Sequence, residues 1–457
     1  MRRLLVARFA PALALALAFA FALVLTVSAS ATAAVVSPAP AKAAANPALD
    51  PLESMYPDLE AFYIDLHQTP ELSMHEEKTS AKVADRLRKL GYEVTTGVGG
   101  TGVVAILKNG KGPTVFVRAD MDALPVEERT GLPFASKATA KDDSGATVPV
   151  MHACGHDIHM TSLVGAAALL AKAKDLWRGT LFLIGQPGEE KGSGAATMLK
   201  DGLFTRFPKP DFAISLHDKA SAPAGKVIVT PGWVFANVDS VDLTIYGRGG
   251  HGAYPHTTVD PVVIAARTVV ALQTLVAREN SPFDPAVVTV GSIHGGLKHN
   301  IIPDEVKLQI TVRSFKDDVR KRLLDGIARI AKAEAAAAGA QKEPSFSVAE
   351  STPATYNDPA LSKRLTAAFS RAFGADNVAE GQPTMGGEDF SEFGRAGVPA
   401  VQFEVGAVEA GKYTDSQKNG TPLPSLHSSG FAPDRGPTIR RGVASLTVGA
   451  LELLGKP

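Results

Sequence analysis

The stretch Met151-His152-Ala153-Cys154-Gly155-His156-Asp157-Ile158-His159 gathers a thiol, three imidazoles and a carboxylate. Cys154 is the single cysteine of the chain, so an intramolecular disulfide is excluded. Its thiol is either a buried core group or a metal thiolate. Cys154 and His156 stand two apart, and in loop or extended backbone both side chains can project to one side. Thiolate plus imidazole suits zinc and other borderline divalent ions, although the same residues could simply line a loop. A second group is Gln186-Pro187-Gly188-Glu189-Glu190. Adjacent carboxylates repel, and successive side chains tend to point different ways. One carboxylate on a metal and the other taking a proton would fit both facts. By itself, the pair reads as a solvated acidic turn. His217 and His427 complete a Cys/His/Glu/His set able to hold one or two divalent ions, yet a lone histidine at either place is ordinarily structural.

These residues need a scaffold. Asp58 to His67 and Glu76 to Leu90 read as amphipathic helices, and 114–118 as a strand. Thr161 to Lys174 reads as an Ala/Leu-rich helix, 180–184 as a buried strand, 194–201 as a short helix and 212–216 as a strand ended by His217. Strand–helix alternation with continuously apolar strands predicts an α/β domain with a mixed, mostly parallel sheet and helices on both faces. In such sheets ligands bind beyond the carboxyl ends of the strands, where Cys154, Glu190 and His217 are expected. After about residue 238 the pattern changes. Strands at 241–246, 287–293, 305–312 and 345–348 alternate with helices from Asp260-Pro261 to Ala277 and from Asp318 to Ala338. This β-α-β-β-α-β order predicts an inserted ferredoxin-like α+β domain. The expected organisation is a leader at 1–34, a linker at 35–51, a catalytic domain in two parts (52–238 and 351–457) and the insert at 239–350.

Several motifs run in order along the chain. They are HQTPEL from His67, RADMDALP from Arg118, MHACGHDIHM from Met151, QPGEE from Gln186, GRGGHGAYPH from Gly247, HNIIP from His299, MGGEDF from Met385 and LHSSGF from Leu426. In these the chain resembles the hippurate hydrolase and indoleacetyl-amino-acid hydrolase family, an amidohydrolase branch of the dinuclear metallopeptidases that also contain aminoacylases and carboxypeptidases. The resemblance implies two divalent ions (Zn, Mn, Ni or Co) held by Cys154, His156, Glu190, His217 and His427. It implies Glu189 as general base, a role consistent with metal-lowered water acidity, and Asp122 as a support of the base or of the metal site. His251, among glycines, matches a histidine that reaches into a partner subunit and would stabilise an oxyanion by about 3 kcal/mol. Asn300 and Arg313 match positions that hold the substrate carboxylate, for which an Arg fork is suited. The insert is implied to support a homodimer or higher oligomer. The implied activity is hydrolysis of the amide of an N-acyl amino acid, with a dipeptidase or carboxypeptidase of the same chemistry, or a metal-dependent binding protein, as rivals. Two departures stand out. Gly188 replaces a common Ala and reads as a slight loosening of the turn. The segment Asp218-Lys219-Ala220-Ser221-Ala222-Pro223 is unusual wording beside the expected acyl pocket.

Composition bounds the rest. The 457 residues are 45% hydrophobic and 21% charged, which excludes wholesale disorder. With 47 basic and 47 acidic residues the net charge is zero, leaving no footprint for nucleic acid. Met1-Arg2-Arg3 and Arg8 precede an uncharged apolar run from Phe9 to Val27, followed by Ala29-Ser30-Ala31 and Ala31-Thr32-Ala33. That is the pattern of a cleaved export signal, with an uncleaved anchor as the alternative. The expected location is periplasmic or secreted, with no membrane partner beyond the signal segment.

Overall fold

The computed structural model describes residues 46–456; the expected leader and most of the linker fall outside them. In chain order the elements that matter here are α1 (Leu52–Gln68), α2 (Glu77–Lys89), β1 (Glu93–Val98), β2 (Gly102–Asn109), β3 (Thr114–Asp120), α3 (His156–Lys172), β4 (Gly179–Gln186), β5 (Phe212–Pro223) and β6 (Val227–Val229). They continue with β7 (Asn237–Tyr246), α4 (Pro261–Thr274), β8 (Ala286–His294), β9 (Glu305–Ser314), α5 (Asp317–Ala337) and β10 (Ser345–Thr352). The last are α6 (Pro359–Phe373), β11 (Val378–Glu380), β12 (Ala400–Val408) and α7 (Arg435–Leu453).

The main sheet has eight strands in the order β1-β2-β4-β3-β5-β12-β6-β11. Its centre, β4-β3-β5-β12, is parallel, as the unbroken apolar runs of β3 and β4 require for strands covered on both faces. One flank is antiparallel because β1 and β2 form a hairpin and β2 then pairs with β4. Residues 93–109 carry no strand in the expectation above; Gly99 (φ 67°) and Gly100 (φ 104°), which close the hairpin, were the available signal. α1, α3 and α7 cover one face, with Leu59, Tyr63, Leu163, Leu169, Val443 and Leu446 in a shared core. On the other face Phe116 meets Phe182 edge-on at 5.1 Å and Phe393 at 4.9 Å between ring centroids. Truncating such a ring costs about 3–5 kcal/mol, so the strands that carry the site are firmly anchored.

The smaller sheet is antiparallel throughout, in the order β8-β9-β7-β10. In β9, Val306, Leu308, Ile310 and Val312 are buried while the intervening residues are more exposed, the period-2 signature of a one-sided sheet. α4 and α5 share that core. Asp260 caps α4, its carboxylate accepting the Val262 N–H at 2.8 Å, and Pro261 fills the first helical position.

Candidate metal centre

The site starts at the head of α3. Gly155 takes a left-handed conformation (φ 77°) and the helix begins at His156, not at Thr161 as the composition suggested. The earlier start is possible because only glycine fits there: a Cβ on Gly155 would lie 2.4 Å from Asp218 Oδ1. Consequently His156 and His159, three apart, occupy one helical face. A second correction concerns His217. It does not end its strand; β5 runs on to Pro223, and His217 sits opposite Glu404 of β12 in the parallel ladder.

The expected ligands converge. Cys154 Sγ lies 3.5 Å from His217 Nε2 and 3.2 Å from His427 Nε2. His427 Nε2 is 3.4 Å from Glu190 Oε2, and His156 Nε2 is 3.9 Å from both Glu190 Oε1 and Glu189 Oε2. Donor atoms about 3.2–3.9 Å apart are the spacing that two ligands on one ion at roughly 2.0–2.3 Å would show. His427 is held by its own backbone, with φ 64° and its N–H donated to Ala153 O at 2.8 Å. Positive φ outside glycine occurs only at His427 and Met74 among the described residues, and such conformations concentrate at functional sites.

The donor set fits divalent cations. His156 Nε2 and Glu190 Oε1 are buried, face each other and hydrogen-bond to nothing in the protein, an arrangement that is costly unless a cation satisfies both. Burial, and then Glu190, push the Cys154 thiol up. Burial, followed by Glu388, Glu190 and Asp389, pushes Glu189 up, and burial raises Glu190 to about 8. Positive charge placed among these groups would let thiol and carboxyls ionise.

Asp122 ties the two halves of the cluster together. Its Oδ2 accepts the Glu190 N–H at 2.9 Å and the Ser73 hydroxyl at 2.6 Å. Its Oδ1 is 3.2 Å from His156 Nδ1, which also meets the Asp122 carbonyl at 2.8 Å. The Nδ1 proton is thereby fixed and Nε2 turned toward the cluster. Gly188 is more than a loosened turn. At φ 61° its hypothetical Cβ would lie 2.5 Å from Met74 Sδ, and its N–H donates to the buried Glu76 carboxylate at 2.9 Å.

Arg313 lines the same cavity of about 650 Å³ as Cys154, Glu189, Glu190, His217 and His427. Its Nη1 donates to the Met385 carbonyl at 3.3 Å. His251 and Asn300 do not line the cavity. They lie together on an exposed ribbon, where Gly252 N–H bonds the Asn300 carbonyl at 2.9 Å. Sequence reasoning missed a further layer. Asp120 bonds His159 Nδ1 at 2.6 Å and Arg118 at 2.7 Å, and His159 Nε2 lies 3.1 Å from Asp218 Oδ1. Fully buried Arg118 also binds Glu388, Asp389 and Gln186. RADMDALP and MGGEDF contained these groups, but nothing local shows that residues 118 and 388 meet.

Residues 116–419 match the model of the peptidase family M20/M25/M40. The chain belongs to this family. It is a hydrolytic enzyme acting on amide bonds. Thermostable carboxypeptidase 1 of Saccharolobus solfataricus is 39% identical to this M20-family chain over 81% of it and 88% of the relative. The hippurate hydrolase of Campylobacter jejuni is 37% identical over 72% of this chain and 82% of its own. Among solved structures, the Bacillus subtilis YXEP protein, a dinuclear metal-binding peptidase of the M20 family, superimposes with a TM-score of 0.70 at 29% identity, covering 88% of this chain and all of its own. The M20 fold thus accounts for the two-sheet architecture, and two divalent ions are its cofactor.

Proposed function

We propose that this M20-family enzyme hydrolyses N-acyl amino acids, with Cys154, His156, Glu190, His217 and His427 holding two divalent ions and Glu189 acting as general base. The observation that carries this reading is the geometry around His156 Nε2, which makes no hydrogen bond, lies 3.6 Å from Asp120 Oδ2 and is 3.9 Å from both Glu189 and Glu190. One carboxylate can serve an ion while its neighbour stays free for a proton. When bound, the ions supply Lewis acidity and a water acidic enough to deprotonate near neutral pH. Glu189 takes that water's proton and delivers it to the leaving nitrogen. Asp122 holds His156 and the backbone of Glu190 in place. Arg313, whose bonds leave much of its guanidinium free, grips the carboxylate of the amino-acid half. The hippurate hydrolase relative supports an acyl amino acid; the carboxypeptidase relative keeps a short peptide as the rival substrate.

The enzyme works as a homodimer in which His251 serves the partner's site, a reading supported by the exposure of His251 and Asn300 beside Tyr254 and Ile301. The charged start and apolar run at 1–34 make it an exported protein with a cleaved signal. The decisive experiment is amino-acid release from N-acetyl and N-benzoyl amino acids with added Mn²⁺ or Zn²⁺. Release stopped by EDTA is expected. Glu189→Gln should lower kcat by about 10²–10⁴-fold with metal content unchanged; full turnover by that variant would remove Glu189 from the mechanism. Mixing His251→Ala with Glu189→Gln subunits should restore activity if sites are shared, and N-terminal sequencing of the cell-derived protein reads the cleavage directly.

A further inference from the structure

One wall of the cavity carries an ion pair that the chemistry above does not use. Lys219 Nζ lies 2.7 Å from Glu404 Oε1, and both residues line the cavity. Lys219 follows His217 by two residues on β5, so the two side chains share a face. Glu404 stands directly opposite His217 on β12. Gly406, opposite Lys219 in the same ladder, presents no side chain and leaves room for the lysine to lean toward Glu404. The pair is asymmetric. The Glu404 side chain is 10% exposed and already neutralised, whereas that of Lys219 is 24% exposed. An ammonium has three donors, and Glu404 is its one partner among the described residues. Lys219 therefore offers vacant N–H groups to the cavity.

The position of the pair says which half of a substrate meets it. Arg313 belongs to β9 of the smaller sheet, and the loop carrying Glu189 and Glu190 reaches that side, where Thr352 of β10 bonds the Gly192 carbonyl at 3.2 Å. Lys219, Ala220 and Glu404 belong to the main sheet, next to His217 and the 423–427 loop. With the amino-acid carboxylate on Arg313 and the scissile carbonyl at the ligand cluster, the acyl group runs toward Lys219. Two residues of strand span roughly 6.6 Å, a distance an acyl chain of about five carbons covers.

We infer that Lys219 is a specificity residue that selects acyl groups ending in a hydrogen-bond acceptor, a dicarboxylic N-acyl group above all, and that repels the free ammonium of a dipeptide. This rests on the acylase reading and narrows its substrate class. Glu404 has a matching role. It aims Lys219 and, once the lysine is removed, is left as a bare carboxylate facing the acyl end.

The test is a comparison of kcat/KM for N-glutaryl-, N-hexanoyl- and alanyl-phenylalanine in the full-length metal-loaded enzyme and in Lys219→Met, Lys219→Arg and Glu404→Gln. The native enzyme is expected to prefer glutaryl over both others. Lys219→Met should lower the glutaryl-to-dipeptide ratio by tenfold or more, chiefly through KM, because the glutaryl carboxylate loses its cation and meets the bared Glu404. Lys219→Arg should keep the native order, and Glu404→Gln should blunt it. A ratio unchanged within twofold in Lys219→Met, or a native preference for the dipeptide, would overturn this inference while leaving the acylase chemistry standing. A native enzyme that cleaves N-acetyl-phenylalanine but none of the three would overturn this inference alone, and one that cleaves neither would sink both. Metal content and hydrolysis of N-acetyl-phenylalanine report on whether each variant is folded.

Discussion

Replacing Asp122 by Asn isolates the group that holds the ligand cluster together without touching any donor. Oδ2 accepts the Glu190 N–H and the Ser73 hydroxyl, while Oδ1, without a hydrogen bond of its own, lies 3.2 Å from His156 Nδ1 as its negative neighbour. An amide has one oxygen and one NH₂. Turned one way, its NH₂ confronts the His156 Nδ1 proton; turned the other, it confronts the Glu190 N–H. One donor-to-donor clash is unavoidable, and the charge that stabilises the imidazole is lost. Partners of this kind contribute about 10–100-fold to metal affinity, or roughly 1.4–2.7 kcal/mol. The shape of the site should persist, because the Asp122 carbonyl still bonds His156 Nδ1 at 2.8 Å. Titration of the metal-free Asp122→Asn protein with Zn²⁺ or Mn²⁺ against a competing chelator should therefore show weaker binding by that factor. Activity should return at high metal concentration. Affinity within threefold of native would refute the role given to Asp122, as would activity lost at saturating metal.

Other outcomes follow from the same geometry. Arg118→Met leaves Asp120, Glu388 and Asp389 buried without their cation, and should cost about 3–5 kcal/mol in denaturant unfolding. Gly188→Ala forces a side chain into left-handed backbone and against Met74. It should lose at least about 1–2 kcal/mol and lower kcat, since Glu189 is the next residue. His67 lies between Asp157 (2.7 Å) and Glu128 (3.2 Å). Burial pulls its pKa down, but these two bonds win and push it up to about 10. A raised folded-state pKa adds stability that is complete below about pH 6.5 and fades as pH rises toward about 10. Unfolding free energy should fall across that window by on the order of a few kcal/mol. His67→Gln should be less stable at pH 6 and show a flatter profile; an unchanged slope would mean His67 is neutral.

Local order in the sequence settled more of the chemistry than of the architecture. Cys154-Gly155-His156 and Glu189-Glu190 each read alone as a loop or an acidic turn, and point to a metal site only with the other ordered motifs along the chain. Alternating burial in β9 and the Asp260-Pro261 cap are likewise local patterns with local causes. The β1–β2 hairpin escaped notice even though 103–107 is an unbroken apolar run beside Gly99 and Gly100, and nothing local shows that β2 pairs with β4. The early start of α3 escaped because the space that admits Gly155 is defined by Asp218, sixty-three residues on. Tertiary structure alone decided that His217 lies within β5 beside Glu404, that Arg118 spans from β3 to Glu388, and that Lys219 faces the cavity. These are encounters between distant segments, and burial makes each group's charge depend on neighbours the sequence does not place next to it. His251 and Asn300 show the same limit from the other side. Their residue types suggest chemistry, while in the single chain they stand on an exposed ribbon away from the cavity.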